Sequence, residues 1–191
     1  MIIGITGGSG CGKTTALRAF EHLGGKVLDC DEIYHNLLKT EDKLLEKIEK
    51  RFPGVVENQT LDRPKLAQIV FKDQAALRDL NAITHGFVRS YVKEAIFGEK
   101  GHVAIDAFAL FEADLAALCD ATVAVTAPEE ERVRRLIQRD GITAEKAHLR
   151  IRAQRPQEEF VKLCDYHLSN DGTREEFYQK CLAFFGNLGI M

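Results

Sequence analysis

The run Gly7-Gly8-Ser9-Gly10-Cys11-Gly12-Lys13-Thr14 follows the order G-x-x-x-x-G-K-[ST] and comes directly after the apolar stretch Ile2-Ile3-Gly4-Ile5-Thr6. Its chemistry is that of phosphate binding. Glycines let the backbone turn its N–H groups inward around an oxyanion, Lys13 can reach β- and γ-phosphates, and Thr14 offers a hydroxyl to Mg²⁺. Gly8, Ser9, Gly10, Cys11, Gly12, Lys13, Thr14 and Thr15 are therefore read as the cradle of a nucleoside triphosphate, with ATP and Mg²⁺ as the expected ligands. Four such fixed positions arise by chance in about one chain of this size in a hundred. The dinucleotide fingerprint G-x-G-x-x-G fails, because its third glycine falls on Lys13 or Thr15.

Three further groups could take part. Seven of the thirteen arginines, Arg132, Arg134, Arg135, Arg139, Arg150, Arg152 and Arg155, crowd into one stretch. Two readings stand: a solvated helix face paired with Glu129–Glu131, or a lid that brings guanidinium groups onto a transferring phosphoryl. Asp140-Gly141 breaks the helical run and Thr143 can cap the next helix, so the segment is hinge-like. Asp31 follows a short strand pattern at the sheet edge expected to hold the loop. It either orients an acceptor hydroxyl and takes its proton or caps the following helix, while Asp29 is read as structural. Asp106 ends another strand pattern and is read either as a carboxylate supporting Mg²⁺ or as a plain strand-end residue. Cys11, among N–H groups at a helix start, is either a thiol of lowered pKa or a small residue tolerated there.

These residues need a frame. Ala16, Leu17, Ala19, Phe20 and Leu23 recur at helical spacing after the loop, Gly24-Gly25 stops the helix, and Lys26–Asp29 reads as a second strand. Strand, helix, strand begins a parallel α/β sheet. From Glu32 to about Gly98 the pattern is helical throughout, broken at Pro53-Gly54 and Arg63-Pro64. That is too long for a simple crossover and predicts a helical insertion for the second substrate. Strands resume at 102–106 and 121–125, a last one lies near 166–168, and a helix closes the chain over 175–187. The expected organisation is a core of 1–31 and 100–191, with a lid at about 139–156, and a substrate-binding insertion of 32–99.

At 191 residues and 45% hydrophobic content the chain can fill a sizeable core, which excludes a disordered or fibrous class. The net charge of −3 gives no overall basic field, so no nucleic-acid partner is expected. Five widely spaced cysteines lack a C-x-x-C pair and fit reduced thiols. The six histidines show no i, i+4 metal pairing. With no cationic leader and no apolar span of membrane length, a soluble cytoplasmic protein is expected, without a membrane partner and as a monomer. A guanine-specific Asn-Lys-x-Asp motif is missing, since Asn58-Gln59-Thr60-Leu61-Asp62 has the wrong spacing.

Along nearly its whole length the chain resembles the dephospho-coenzyme A kinases. The residues that carry the resemblance are Ile5-Thr6-Gly7-Gly8 with the loop, Leu23-Gly24, Asp29-Cys30-Asp31 where that family usually has Asp-Ala-Asp, Asn81 with His85, and Asp106 through Leu110-Phe111-Glu112. They continue in Arg135, Gln138-Arg139-Asp140-Gly141, Arg150-Ile151, Ala153-Gln154 and Cys164-Asp165-Tyr166 leading to Asn170 and Gly172. The resemblance implies a three-layer parallel α/β sheet of the P-loop nucleoside/nucleotide kinase type, with a helical substrate subdomain and an arginine-rich lid. It further implies transfer of the γ-phosphoryl of ATP to the ribose 3′-hydroxyl of dephospho-coenzyme A. Asp31 is then the base; Lys13 and Arg139 act on the phosphates; Asn170 joins the ATP site; His85 and Arg150 join Asp31 at the acceptor; and Thr14 and Asp106 serve the metal. Gly86 stands where the family commonly has Pro, and Phe108-Ala109 replaces the usual Pro-Leu. Other small P-loop kinases, acting on nucleosides, nucleoside monophosphates or shikimate, share the loop, the lid and a carboxylate near Asp31. A GTP-dependent switch and a binding-only relic are further alternatives.

Overall fold

A computed structural model of the chain describes residues 1–190. Its sheet has five strands: β1 (Ile2–Thr6), β2 (Lys26–Asp29), β5 (Val103–Asp106), β6 (Ala121–Thr126) and β7 (Tyr166–Ser169), in the order β2-β5-β1-β6-β7. β1 runs parallel to both β5 and β6, with Ile5 opposite Asp106 on one side and Val123 on the other, and β6 runs parallel to β7. β1 is thus central, and its apolar residues are buried on both faces as a parallel sheet requires. Ile3, Ile5, Val123, Val125 and Leu168 share a core with Ala16 and Phe20 of α1 (Lys13–His22) and Phe177, Cys181 and Phe185 of α9 (Arg174–Asn187). Phe20 meets Phe185 edge to face at 5.2 Å, a pairing that adds about 1 kcal/mol beyond area burial.

Two compact units divide the chain. The first comprises Met1–Leu28, Glu99–Leu110 and Ala116–Met191; the second comprises Asp29–Gly98 and Phe111–Leu115. The first holds the sheet together with α1, α6 (Glu129–Asp140), α7 (Ala144–Arg152), α8 (Gln157–Leu163) and α9. α6 begins with three glutamates, which suit the positive end of the helix dipole, and ends on Gly141 in the left-handed conformation. Thr143 caps α7 by accepting from the Lys146 N–H. Val133, Leu136, Ala147 and Ile151 pack α6 against α7 in a small core of their own.

The second unit contains α2 (Cys30–Thr40), α3 (Asp42–Arg51), α4 (Arg63–Val70) and α5 (Gln74–Ile96). The sequence pattern predicts helix throughout this stretch, and the structure corrects that: β3 (Val56–Glu57) and β4 (Thr60–Leu61) form a small antiparallel hairpin. Asn58 and Gln59 both take positive φ, the geometry a two-residue hairpin turn requires. Glu49 secures the turn before it, its carboxylate accepting from the N–H groups of Gly54 and Val56. Those two hydrogen bonds also hold the Glu49 carboxyl below its ordinary pKa.

Candidate active site

The loop between β1 and α1 is shaped from outside. Arg132 donates to the Ser9 carbonyl at 2.9 Å, Arg135 to the carbonyls of Gly10 and Cys11 at 3.1 and 3.4 Å, and Asn170 to the Cys11 carbonyl at 2.8 Å. A trans peptide points its carbonyl and the next N–H in opposite directions. The peptides after Ser9 and Cys11 are therefore turned so that the N–H groups of Gly10 and Gly12 face away from these clamps, while the Cys11 N–H closes a turn within the loop by donating to the Gly8 carbonyl at 3.2 Å. Backbone donors turned in this way make an anion nest, and the start of α1 adds its dipole.

Lys13 lies across this concavity, its ammonium donating to the Gly7 carbonyl at 3.2 Å and 4.0 Å from Asp106 Oδ1. Asp106 is placed there by the register that sets it beside Ile5 at the end of β1. Thr14 is exposed in the first turn of α1, and Thr15 is half-buried behind it. A hydroxyl and a carboxylate are hard oxygen donors of the kind Mg²⁺ takes. No group of three or more His, Cys, Asp or Glu among the described residues could hold a metal ion.

Gly12 precedes α1 with φ of 109°, and a Cβ there would collide with the side-chain amide of Asn170. Gly12→Ala combines left-handed strain of about 1–3 kcal/mol with that collision. ADP affinity measured calorimetrically is expected to fall at least about tenfold. Cys11 resolves toward the smaller role: its side chain is buried in the core, and burial pushes its thiol pKa up, outweighing the opposing field of Lys13. Of the two readings from sequence, a small residue tolerated in the loop is the one the buried side chain fits, and a lowered pKa is not.

Over all of this the dephospho-CoA kinase family model matches residues 1–176. The chain belongs to the dephospho-CoA kinase family. A dephospho-CoA kinase of Carboxydothermus hydrogenoformans is 37% identical over 188 residues, covering 95% of this chain and 91% of that protein. A crystal structure of a Thermus thermophilus protein is similar with a TM-score of 0.81 at 35% identity, covering 98% of this chain and 97% of that one. The dephospho-CoA kinase of Campylobacter jejuni is similar with a TM-score of 0.69 at 26% identity, covering 98% and 96%. The mostly parallel sheet with helices is thus shared with family members, and the chain is a transferase of the kinase class.

Beside the loop a cavity of about 270 Å³ is lined by Gly12, Thr15, Arg134, Arg135, Gln138, Asn170, Gly172, Thr173 and Arg174. Asn170 is buried in its wall and also accepts from Arg135 at 3.4 Å. Arg132, Arg135 and Arg139 are spaced three and then four residues apart and so share one face of α6. The first two clamp the loop. The third binds Asp140 with both Nε and Nη2, at 2.6 and 2.9 Å, and Arg150 reaches the same carboxylate at 2.6 Å. Those two arginines hold the Asp140 carboxyl below its ordinary pKa, Arg139 being the larger influence.

In the second unit Asp29, not Asp31, caps α2, its side chain accepting from the N–H groups of Asp31 and Glu32 at 2.9 and 3.0 Å. Asp31 is exposed in the first turn of α2 and His85 is half-buried on α5. The loop supports Arg132 and Gln154 were not assigned from sequence. Arg132 is almost fully buried, and burial draws its pKa down from the ordinary guanidinium value. The spacing of Arg132, Arg135 and Arg139 on one helix face was the signal that could have found it.

Proposed function

We propose that this chain transfers the γ-phosphoryl group of ATP to the ribose 3′-hydroxyl of dephospho-coenzyme A, giving coenzyme A and ADP. The observation that carries the reading is the clamped loop with Lys13 across its mouth, in a chain matched to the dephospho-CoA kinase family over residues 1–176. The N–H groups of Gly10 and Gly12 hold phosphate oxygens, and Lys13 exchanges the Gly7 carbonyl for them as the triphosphate enters. Asp31 receives the hydroxyl proton as the new O–P bond forms and the bond to the β-phosphate oxygen breaks. Arg139 and Arg150 leave Asp140 to gather charge on the phosphoryl oxygens and the acceptor. Asn170 and the cavity beside it take the nucleoside portion of ATP, and His85 contributes to the acceptor. A Mg²⁺ ion held by Thr14 and Asp106 would neutralise phosphate charge and align the leaving group.

We also infer a monomer working in the cytoplasm on small molecules, without nucleic-acid or membrane partners. None of the five cysteines is in a disulfide, no helix among the described residues is long and apolar enough to cross a membrane, and the net charge is −3. An assay of ADP release over a panel of acceptors tests the reaction. Turnover is expected with dephospho-coenzyme A; turnover of a nucleoside monophosphate or shikimate in its place would reject this acceptor.

A further inference from the structure

Ser9 has three polar groups, and all are engaged by two side chains more than a hundred residues away. Its N–H donates to Gln154 Oε1 at 2.9 Å, its hydroxyl accepts from Gln154 Nε2 at 2.7 Å, and its carbonyl accepts from Arg132 Nε at 2.9 Å. Arg132 Nη2 donates to the same Gln154 oxygen at 3.3 Å, which closes the network. Gln154 follows directly on α7, and Arg132 lies in the first half of α6. Both ends of the α6–α7 hairpin are therefore fastened to one residue of the phosphate loop.

The choice of partners is informative. Arg132 is only 3% exposed, yet it forms no ion pair with a carboxylate among the described residues. A buried guanidinium is ordinarily neutralised, because desolvating a charge without a counter-ion is costly. Here its hydrogen-bond partners are a peptide carbonyl and an amide oxygen, and the carboxylates of Glu129 and Glu158 act on it only from beyond ion-pair distance. Glutamate at 154 would offer the same acceptor atom and form a stronger pair. The amide leaves a fixed positive charge directly behind the loop, pre-oriented where phosphate charge has to be stabilised.

We propose that Arg132, left un-neutralised by the amide of Gln154, is a positioning residue for phosphoryl transfer: it fixes Ser9 and supplies buried positive charge to the phosphate loop. The proposal rests on the kinase reading of the loop and deepens it. Gln154→Glu separates charge from structure, since the carboxylate keeps the acceptor for the Ser9 N–H and pairs with Arg132. Its thermal midpoint is expected to equal or exceed that of the parent chain, while ADP affinity by calorimetry and kcat/KM for ATP each fall at least about tenfold. Gln154→Ala, which keeps the charge but frees the N–H and hydroxyl of Ser9, is expected to lower kcat severalfold with KM for the acceptor unchanged. Parent-like ADP binding and turnover in Gln154→Glu would overturn the proposal, as would a loss of binding no greater than the accompanying loss of folded protein. ADP binding needs no acceptor. A parent chain that binds ADP but ignores dephospho-coenzyme A therefore rejects the assigned acceptor and leaves the test of Arg132 standing.

Discussion

Lys13→Met is expected to lower kcat on the order of 10³-fold, about 4 kcal/mol of transition-state stabilisation, in a protein that folds normally. Methionine is unbranched and matches the apolar stem of lysine without its terminal ammonium, so the packing of α1 on the sheet is preserved. What disappears is the ammonium that sits between the Gly7 carbonyl and Asp106. With the cation gone, Asp106 also loses the ammonium that lies 4.0 Å from its Oδ1. In a loose transition state charge spreads over the phosphoryl oxygens, and a donor aimed at them gains strength as the reaction proceeds. The loss should therefore fall mainly on kcat, with KM for ATP moving less. Single-turnover kinetics with saturating ATP read the chemical step directly, and a rate within tenfold of the parent would remove Lys13 from that role.

Asp31→Asn is expected to cut kcat on the order of a hundredfold or more while ADP still binds. The substitution is nearly isosteric and removes only the capacity to take a proton. Its interpretation depends on Asp29, whose side chain already accepts from the N–H groups of Asp31 and Glu32. Because that cap is made by Asp29, losing the Asp31 carboxylate leaves the start of α2 intact. The paired substitutions separate the roles: Asp29→Ala should cost about 1 kcal/mol in urea unfolding, whereas Asp31→Asn should leave the midpoint unchanged. An Asp31→Asn enzyme with near-normal turnover would return that carboxylate to the helix surface.

The contrast between these two aspartates shows what a sequence can and cannot disclose. Asp29-Cys30-Asp31 after a strand pattern announces a capping oxygen and a functional carboxylate, but either side chain can reach the helix N–H groups. Only the backbone angles at Asp29 decide which one does. The phosphate loop was legible because its chemistry demands fixed residue types at fixed spacing. The strands at Val103–Asp106 and Ala121–Thr126 were legible because parallel strands buried on both faces leave short, dense apolar runs. The hairpin at Val56–Leu61 was not, since two-residue strands carry no period and its turn uses Asn58-Gln59 rather than glycine. The clamps on the loop were hidden for another reason: Ser9 and Gln154 lie 145 positions apart, and neither has a distinctive residue type. Such a contact follows from the order of strands in the sheet, which local pattern does not encode.

Arg139 and Arg150 both rest on Asp140. Two cations sharing one carboxylate form a reserve with a threshold: a newcomer draws them off only by offering more negative charge than a single carboxylate does. A triphosphate meets that condition more fully than a diphosphate, and a lone monoanion scarcely at all. On the proposed reaction, the tip of α6 would respond to the charge in the loop, and loss of the γ-phosphoryl would let Asp140 compete again for its two arginines.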